Sequence, residues 1–328
     1  MTTLQKLQEK ISQEVKAQEP LAPHTTFKIG GPAEFFFVAS SIEDVVNAAS
    51  AAKEFGLPFF AFGGGSNMLV SDAGVKGLVI KLANRDFKID GTRIIAEAGA
   101  PTGLVSMRAA EAGLTGFEWA VGVPGTIGGA VRGNAGAYGG DMAGCVAEVR
   151  ALVDGKEKTL SAEECAFSYR NSIFKRTPGT VVLSATLVLA PSSDKEASKA
   201  QLKKNLLDRK EKQPVEYPTA GCMFTNWQPG SEADVESLRK SLDLDKDEKI
   251  PRTPHGGVPA GWIIDRAQLK NMAMGGVRIS EKHGNFFVTS GKATADDVVQ
   301  LTAAIKTRVR NITDGVVQLM EEVEYVGF

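Results

Sequence analysis

Hydrophobic and polar residues in the N-terminal part of the chain alternate in the patterns of both helices and strands. In residues 3–17, apolar side chains recur at helical spacing and predict an amphipathic helix: Leu4, Leu7, Ile11 and Val15. Residues 34–39 (EFFFVA) form a short apolar run typical of a buried strand. Ser41 and Asp44 have the spacing of a capping box, which predicts a helix to about residue 55 and then a strand at 58–62. This region is therefore expected to form a β-α-β unit.

The rest of the chain mixes further strands with further helices. Short apolar runs predict strands at residues 68–70, 77–82, 93–98, 146–153, 157–160, 181–189, 285–289 and 315–325. Helical spacing predicts helices near residues 102–112, 191–213, 231–240, 260–267 and 293–310. Asp154-Gly155 is a two-residue hairpin signal. These elements predict an α+β fold, with a domain boundary near residue 205 in the charged helix.

The composition is that of an ordinary globular protein. Of the 328 residues, 43% are hydrophobic and 23% are charged, and the formal net charge is −1. No basic field therefore indicates a nucleic acid as the partner. No apolar run approaches the roughly 20 residues of a membrane-spanning helix, and the polar N-terminus lacks the apolar core of a secretion signal. We expect neither a nucleic-acid nor a membrane partner.

Cysteine and histidine usage narrows the chemistry. The three cysteines, Cys145, Cys165 and Cys222, are far apart and odd in number, which favours a reducing, cytoplasmic location over a disulfide framework. We expect Cys145 and Cys165 to be small buried hydrophobic residues. The three histidines and the cysteines form no cluster with zinc-like spacing, so no metal site is predicted.

Two dense glycine blocks are the most informative feature of the sequence. The first, Gly63-Gly64-Gly65-Ser66-Asn67, directly follows a predicted strand. Consecutive glycines can bring bare backbone N–H groups close to an anion, so the block is either a pyrophosphate cradle or a tight turn. It matches neither the GxxxxGK[ST] phosphate loop nor the GxGxxG dinucleotide fingerprint.

The second block lies within residues 113–144, which contain eleven of the 35 glycines and are expected to form a long functional loop. Its polar residues, Thr126 and Asn134 among them, favour a binding role over the alternative of glycines at bends in a curved sheet. Two such loops can hold an extended diphosphate from two sides. Neither offers a histidine or cysteine for a covalent tether, so a bound cofactor is expected to be non-covalent.

Six strings in order along the chain resemble the UDP-N-acetylenolpyruvoylglucosamine reductase (MurB) family. They are HTTFKIGGPA at 24–33, GGGSNMLVSD at 63–72, GVPGTIGGAVRGNAGAYGG at 122–140, YRNSIFK at 169–175, AGCMFTN at 220–226 and AGWIID at 260–265. The resemblance covers essentially the whole chain beyond about residue 20. No tyrosine-bearing insertion separates the YRNSIFK and AGCMFTN strings, as in the shorter form of the family that lacks the tyrosine loop.

The resemblance implies a fold and a domain arrangement. The fold is α+β, with a two-lobed FAD-binding domain of the vanillyl-alcohol oxidase (PCMH) type and a C-terminal α+β substrate-binding domain. The expected divisions are an N-terminal helix at 1–20, the FAD-binding domain at 21–205 with its lobes split near 82, the substrate-binding domain at 206–313, and a C-terminal strand at 314–328 that carries a catalytic glutamate.

The resemblance also implies the reaction and its partners. NADPH is the co-substrate and non-covalent FAD the cofactor. The substrate is UDP-N-acetylglucosamine enolpyruvate, which is reduced to UDP-N-acetylmuramate in peptidoglycan precursor synthesis, and the enzyme is expected to be a cytoplasmic monomer. The residues expected to bind FAD are Gly63, Gly64, Gly65, Ser66, Asn67, Gly122, Pro124, Gly125, Thr126, Gly128, Gly129, Asn134 and Gly136.

Three residues match the catalytic positions of the family. Arg170 is expected to bind the substrate carboxylate through two hydrogen bonds, since a guanidinium is charged at any working pH. Cys222 stands where most members have serine and is expected to protonate the intermediate, because a thiol is a stronger acid than an alcohol. Glu322 matches the C-terminal glutamate, and burial is expected to keep its carboxyl group protonated. Its neighbour Glu321 is expected to be an exposed edge-strand carboxylate.

Three further residues match positions that contact the substrate. They are Lys212, for which Lys210 is an alternative, Asn226, and His283 in the string SEKHGNF. Two competing functions are a flavin oxidase of the same fold and a binding protein without turnover. An oxidase needs no carboxylate-binding arginine paired with a thiol acid. A binding protein that has lost its activity has no reason to keep Arg170, Cys222 and Glu322 together.

Overall fold

The computed structural model describes all residues 1–328, and the chain divides into two compact units. The first unit contains residues 1–20, 32–65 and 74–209, and the second contains residues 21–31, 66–73 and 210–328. The predicted division placed 21–31 and 66–73 with the FAD-binding part instead. They join the second unit because Gly31 N–H donates to the Ser71 carbonyl and Ser71 N–H donates to the Val326 carbonyl. Such long-range pairing cannot be predicted from a local sequence pattern.

Nine α-helices and two short 3-10 helices (Ala22–His24 and Glu118–Ala120) are present. The α-helices are α1 Thr3–Ile11, α2 Ile42–Glu54, α3 Thr102–Glu111, α4 Ile127–Arg132, α5 Ile173–Arg176, α6 Lys195–Lys212, α7 Glu232–Ser241, α8 Ala260–Arg266 and α9 Ala295–Ile312. None combines the length and the apolar character needed to cross a membrane.

Eighteen short strands complete the structure. In chain order they are β1 Lys16–Pro20, β2 Pro32–Ala39, β3 Phe59–Phe62, β4 Met68–Val70, β5 Val75–Leu82, β6 Phe87–Asp90, β7 Arg93–Glu97, β8 Leu114–Thr115, β9 Gly136–Ala137, β10 Gly140–Asp141, β11 Val146–Val153, β12 Lys156–Ser161, β13 Val181–Val188, β14 Ala190–Pro191, β15 Ala273–Met274, β16 Val277–Ile279, β17 Phe287–Thr289 and β18 Glu324–Val326.

The first unit contains two main sheets around one apolar core. A four-stranded sheet has the order β1-β2-β5-β3, in which β2 and β3 both run parallel to β5. Helix α2 packs against it and starts with the predicted capping box, since Ser41 and Asp44 each accept a hydrogen bond from the other's backbone N–H. The β-α-β prediction is therefore confirmed.

The second sheet of this unit is antiparallel, with the order β12-β11-β13-β7-β6. Asp154 and Gly155 form the turn between β11 and β12 with φ of 55° and 79°, the left-handed values that a type I′ hairpin requires. Helix α4 packs on β13 and β7. Helix α4, part of the second glycine block, therefore lies on this sheet, and the loop of Arg170 connects β12 to β13.

The second unit has its own core, built around α8, α9 and the three-stranded sheet β15-β16-β17. Strand β18 pairs in parallel with β4, and the bridge of Phe224 with Glu321 lies just before β18. The bridge of Cys222 with Phe286 joins the same segment to the chain just before β17. Strand β4 directly follows Asn67, and β18 begins two residues after Glu322.

Three predicted elements differ from the structure. The N-terminal helix ends at Ile11 instead of residue 17, because Ser12 adopts a left-handed conformation with φ of 59°. Val15 extended the helical pattern because it is buried in the same core. The final strand is limited to Glu324–Val326. Val317 and Leu319 are buried and gave a strand-like pattern, but they lie in irregular chain.

The third difference is α4, which lies inside the segment predicted as a long loop. Its sequence IGGAVR contains two glycines, which disfavour helix by about 1 kcal/mol each relative to alanine. Burial of Ile127, Ala130 and Val131 overrides that preference. Gly128 is needed because a β-carbon there would lie 2.7 Å from the Ala98 β-carbon.

Candidate active site

The two glycine blocks come together within the first unit. A β-carbon at Gly63 would overlap the Thr126 hydroxyl oxygen, and one at Gly64 would lie 2.7 Å from the Gly125 α-carbon. Only glycine permits this approach. Thr126 is the N-cap residue of α4 but makes no capping hydrogen bond, and its buried hydroxyl oxygen has no partner in the protein. Because an unsatisfied buried hydroxyl is costly, this atom fits a hydrogen bond to a bound group.

Two further buried side-chain oxygens have no partner in the protein, and no local pattern predicts them. They are the side-chain oxygens of Asn84 and Thr102. Thr102 N–H donates to the Gly125 carbonyl, and Gly99 N–H donates to the Asn84 carbonyl. Both residues are fully buried. Thr102 therefore lies next to Gly125 of the cradle, and its hydroxyl is a second hydrogen-bonding group there that the protein itself leaves unused.

Several other predicted FAD-binding residues have packing roles. A β-carbon at Gly136 would lie 2.7 Å from the Gly140 carbonyl oxygen in the β9–β10 hairpin. Asn134 uses both ends of its amide inside the protein: Nδ2 donates to the Ser168 carbonyl at 3.0 Å, and Oδ1 accepts from Ala143 N–H at 2.9 Å. Asn134 therefore ties the second glycine block to the loop that carries Arg170. All thirteen predicted residues of the two blocks stay predictions as FAD contacts, among them Gly65, Ser66, Gly122, Pro124 and Gly129.

Arg170 lies at the corner of a tight turn. Ser168 and Asn171 exchange two backbone hydrogen bonds of 3.0 Å, and Arg170 between them has φ of 54°. Its guanidinium donates to the Gly136 carbonyl at 3.2 Å and lies near the Tyr169 ring. Lys175 Nζ donates to the Arg170 carbonyl at 3.3 Å. The second glycine block and this turn therefore fix the arginine together.

Cys222 and Glu322 lie on neighbouring stretches of the second unit. Glu322 N–H donates to the carbonyl of Met223, the residue after Cys222, at 2.8 Å, and Thr225 N–H donates to the Met320 carbonyl at 2.9 Å. Asn67, predicted as an FAD contact, donates its amide to the Glu322 carbonyl at 3.2 Å. The structure thus brings together three residues that are far apart in sequence.

The neighbouring carboxylates Glu321 and Glu322 have different surroundings. Lys306 Nζ lies 2.8 and 3.0 Å from the two carboxylate oxygens of Glu321. The prediction that Glu321 is a simple exposed carboxylate is therefore wrong, since α9 supplies a partner that the local pattern could not show. Glu322 is half-buried. Because Lys306 already pairs with Glu321, this geometry favours Glu322 as the residue that serves chemistry.

The predicted substrate-binding residues occupy different environments. Asn226 Oδ1 accepts from Ala260 N–H at the start of α8, at 3.3 Å. His283 Nδ1 accepts from Asn285 N–H at 3.1 Å. Burial lowers the pKa of His283 below its ordinary value; the charge of Asp265 opposes this effect and that of Lys270 adds to it. Lys210 and Lys212 both lie exposed at the end of α6.

Cys145 and Cys165 have the environment expected of small buried hydrophobic residues. Burial raises the pKa of Cys145 to about 12 and that of Cys165 to about 11. Neither thiol can therefore ionise near neutral pH, and both side chains belong to the core of the first unit. None of the three cysteines forms a disulfide.

Comparison with known families identifies the class of protein. The FAD binding domain family matches residues 33–161, which include both glycine blocks. The glycine cradle supports this match, because its close backbone approach and unused buried hydroxyl fit a flavin dinucleotide. The expected α+β FAD-binding fold is therefore confirmed, and the chain is a flavin-dependent oxidoreductase.

The second unit and the full-length relatives identify the family. The C-terminal domain family of UDP-N-acetylenolpyruvoylglucosamine reductase matches residues 213–326. The reductase of Bacillus velezensis is 37% identical over 99% of this chain and 98% of the relative, and that of Caldanaerobacter subterraneus is 38% identical over 94% and 92%. The crystal structure of the enzyme from Thermus caldophilus superposes with a TM-score of 0.74 at 30% identity, covering 95% of this chain and 98% of that one. The chain belongs to the UDP-N-acetylenolpyruvoylglucosamine reductase family.

Proposed function

We propose that this protein catalyses the NADPH-dependent, FAD-mediated reduction of UDP-N-acetylglucosamine enolpyruvate to UDP-N-acetylmuramate, with Arg170, Cys222 and Glu322 as its catalytic residues. Membership in the reductase family over nearly the whole chain supports the activity. The pairing of Glu322 with the segment that follows Cys222 is the observation that carries the assignment of residues.

FAD is held by the glycine cradle of the first unit. Gly63, Gly64 and Gly125 let the two glycine blocks lie against each other, and the hydroxyl of Thr126 would supply a hydrogen bond to FAD that the protein leaves unused. When bound, FAD supplies two-electron chemistry that carries a hydride from NADPH to the terminal carbon of the enol ether.

Arg170 binds the substrate carboxylate. Hydride addition at the terminal carbon moves an electron pair toward this carboxylate, so negative charge grows there before the neighbouring carbon is protonated. A fixed guanidinium stabilises that charge more than it stabilises the ground state. The rigid turn of Arg170 and its hydrogen bond to the Gly136 carbonyl support this role, because they fix the cation before the reaction begins.

Cys222 donates the proton that completes the reaction. The thiol proton goes to the carbon that bears the ether oxygen, and the thiolate is then reprotonated from solvent. One hydride and one proton thus convert the enolpyruvyl group to a lactyl group, and NADPH becomes NADP⁺. Glu322 donates a hydrogen bond to the developing negative charge from the stretch of chain paired with Met223.

Substrate recognition is assigned to Asn226, His283 and the lysines at the end of α6. A lysine ammonium suits the diphosphate of the nucleotide as a point charge, and Lys212 and Lys210 are both exposed there. We also propose that the enzyme works as a monomer in the cytoplasm, which sedimentation at working concentration and cell fractionation would test.

The activity is tested by turnover with a defined product. We expect NADPH oxidation, followed at its absorbance, to require the enolpyruvyl nucleotide sugar and to give one lactyl product per NADPH. In D₂O, the carbon that bears the ether oxygen should carry deuterium, because its new hydrogen comes from a protein acid that exchanges with solvent. NADPH oxidation without the lactyl product, or product formed in D₂O without deuterium on that carbon, would overturn the proposal.

A further inference from the structure

The segment that contains Cys222 is held by a buried asparagine as well as by the Glu322 stretch. Asn285 is 2% exposed. Its Oδ1 accepts from Phe224 N–H at 2.9 Å, and its Nδ2 donates to the Phe224 carbonyl at 2.7 Å. Its own carbonyl accepts from Met223 N–H at 2.8 Å. The side chain therefore satisfies both backbone groups of Phe224, as a neighbouring strand would.

Asn285 is itself fixed from the other direction. Its N–H donates to Nδ1 of His283 at 3.1 Å, and the Cys222–Phe286 bridge lies one residue away. A side chain that binds one backbone N–H and one backbone carbonyl needs a donor and an acceptor at a fixed spacing, and among short side chains only the asparagine amide provides both. Aspartate lacks the donor, and alanine lacks both groups.

The residues that Asn285 holds also connect the two catalytic candidates. Met223 and Phe224 directly follow Cys222, and the Met223 carbonyl accepts the hydrogen bond from Glu322 N–H. A shift of this short segment therefore changes the position of the Cys222 thiol and of Glu322 together. No other side chain makes two hydrogen bonds to the backbone of Phe224.

We infer that Asn285 is a positioning residue for proton transfer, which sets the Cys222 thiol relative to Glu322 by binding the backbone of Met223 and Phe224. The inference rests on the roles proposed above for Cys222 and Glu322. Proton transfer requires a donor within hydrogen-bond reach of the acceptor, and a misplacement of about 1 Å can cost on the order of 100-fold in rate. Reduction of FAD by NADPH does not use this proton.

The test separates the two half-reactions in rapid mixing experiments with the FAD-loaded enzyme. Asn285→Asp keeps the shape and the acceptor but removes the donor to the Phe224 carbonyl. We expect it to slow the substrate-dependent return of flavin absorbance by on the order of 100-fold, while bleaching by NADPH changes by less than about twofold. Solvent deuterium should slow the return further in the variant than in the wild type, because proton transfer then limits the rate.

Asn205→Asp is the matched control for a lost buried amide. Asn205 is also buried, and its Nδ2 donates to the Glu118 carbonyl at 3.0 Å in the first unit. We expect a similar loss of melting temperature but unchanged half-reactions. If Asn285→Asp does not fold, Asn285→Thr retains an uncharged hydroxyl donor and should give a smaller slowing of the same half-reaction. Equal slowing of both half-reactions, or an effect no larger than that of Asn205→Asp, would overturn the inference.

A third variant distinguishes this inference from the proposed function. Cys222→Ala should slow the return of absorbance at least as much as Asn285→Asp does. If Cys222→Ala is slow and the Asn285 variants are fast, only the positioning role fails. If Cys222→Ala is fast, the proposed acid is wrong and the positioning role fails with it.

Discussion

Arg170 keeps a backbone conformation that an arginine adopts only at a cost. Its φ of 54° lies in the left-handed region, which costs an ordinary residue about 1 kcal/mol or more relative to glycine. A turn of this kind would be more stable with glycine at that position. Other non-glycine residues of this protein also have positive φ, so the conformation alone does not assign a role. A glycine variant at this position can separate the contribution of Arg170 to stability from its contribution to activity.

Replacement of Arg170 by glycine should separate stability from activity. We expect Arg170→Gly to leave the free energy of unfolding within about 1 kcal/mol of the wild type, since relief of strain offsets the lost hydrogen bond to Gly136. The second half-reaction should slow by about 10²-fold or more, because the carboxylate loses its fixed cation. Arg176→Ala on α5 is the control. A strongly destabilised Arg170→Gly with normal turnover would make the arginine structural.

The role of the Cys222 thiol can be tested by removing it or by replacing it with a hydroxyl group. Cys222→Ala should leave reduction by NADPH intact and slow the second half-reaction by orders of magnitude, because the proton donor is lost. Cys222→Ser should keep useful activity, since a hydroxyl can take the same position. Rapid mixing with each substrate in turn measures both effects. Unchanged turnover of Cys222→Ala would remove the residue from the mechanism.

His283 should make stability depend on pH. Burial lowers its pKa in the folded state, so between the ordinary value of about 6.5 and that lower value the unfolded chain binds a proton that the folded chain does not. The stability that neutral, buried His283 contributes is therefore fully present above pH ~6.5 and is lost as pH falls through the folded-state pKa.

Denaturant titrations from pH 7.5 to 5 measure this dependence. His283→Asn places an amide oxygen near Nδ1 and cannot titrate, so its free energy of unfolding should fall less steeply on acidification than that of the wild type. His255→Asn, in an exposed loop, controls for the loss of a histidine. If stability falls equally steeply with pH in the wild type and in both variants, His283 does not cause the pH dependence.

The elements that the sequence predicted best are those whose signals are local. The capping box of α2 and the Asp154-Gly155 hairpin each involve residues within a few positions of one another, and both are present. Helix α4 was missed because its stability comes from Ile127 and Val131 packing on distant strands. Asn285 was missed for the same reason, because three of its four hydrogen bonds join it to residues about 60 positions away.

The close approach of the two glycine blocks can be tested by adding a side chain at the contact. Gly63→Ala would place a methyl group on the Thr126 hydroxyl, and such overpacking costs about 1–3 kcal/mol. We expect FAD to bind at least tenfold more weakly, as measured by flavin retained after dialysis and by fluorescence titration. Gly144→Ala is the control, since its nearest neighbour would lie at 3.6 Å. Full retention of FAD by Gly63→Ala would place the cofactor elsewhere.

For the whole molecule, the family resemblance indicated the fold and the reaction, and the residues alone indicated much less. Glycine density pointed to a diphosphate site, but nothing local showed that Thr126 would have an unused hydroxyl or that Glu321 would pair with Lys306. The unit boundaries were also hidden, because residues 21–31 and 66–73 join the second unit through pairings with each other and with the C-terminal strand.

The most direct test is the visible spectrum of the FAD-loaded protein without oxygen. NADPH is added first and the enolpyruvyl nucleotide sugar second. We predict that the visible flavin absorbance bleaches on the first addition and returns on the second, with one lactyl product per FAD. Bleaching that only oxygen reverses would indicate an oxidase and contradict the proposed reduction. A protein that cannot be loaded with FAD at all would contradict the account of the glycine cradle as well.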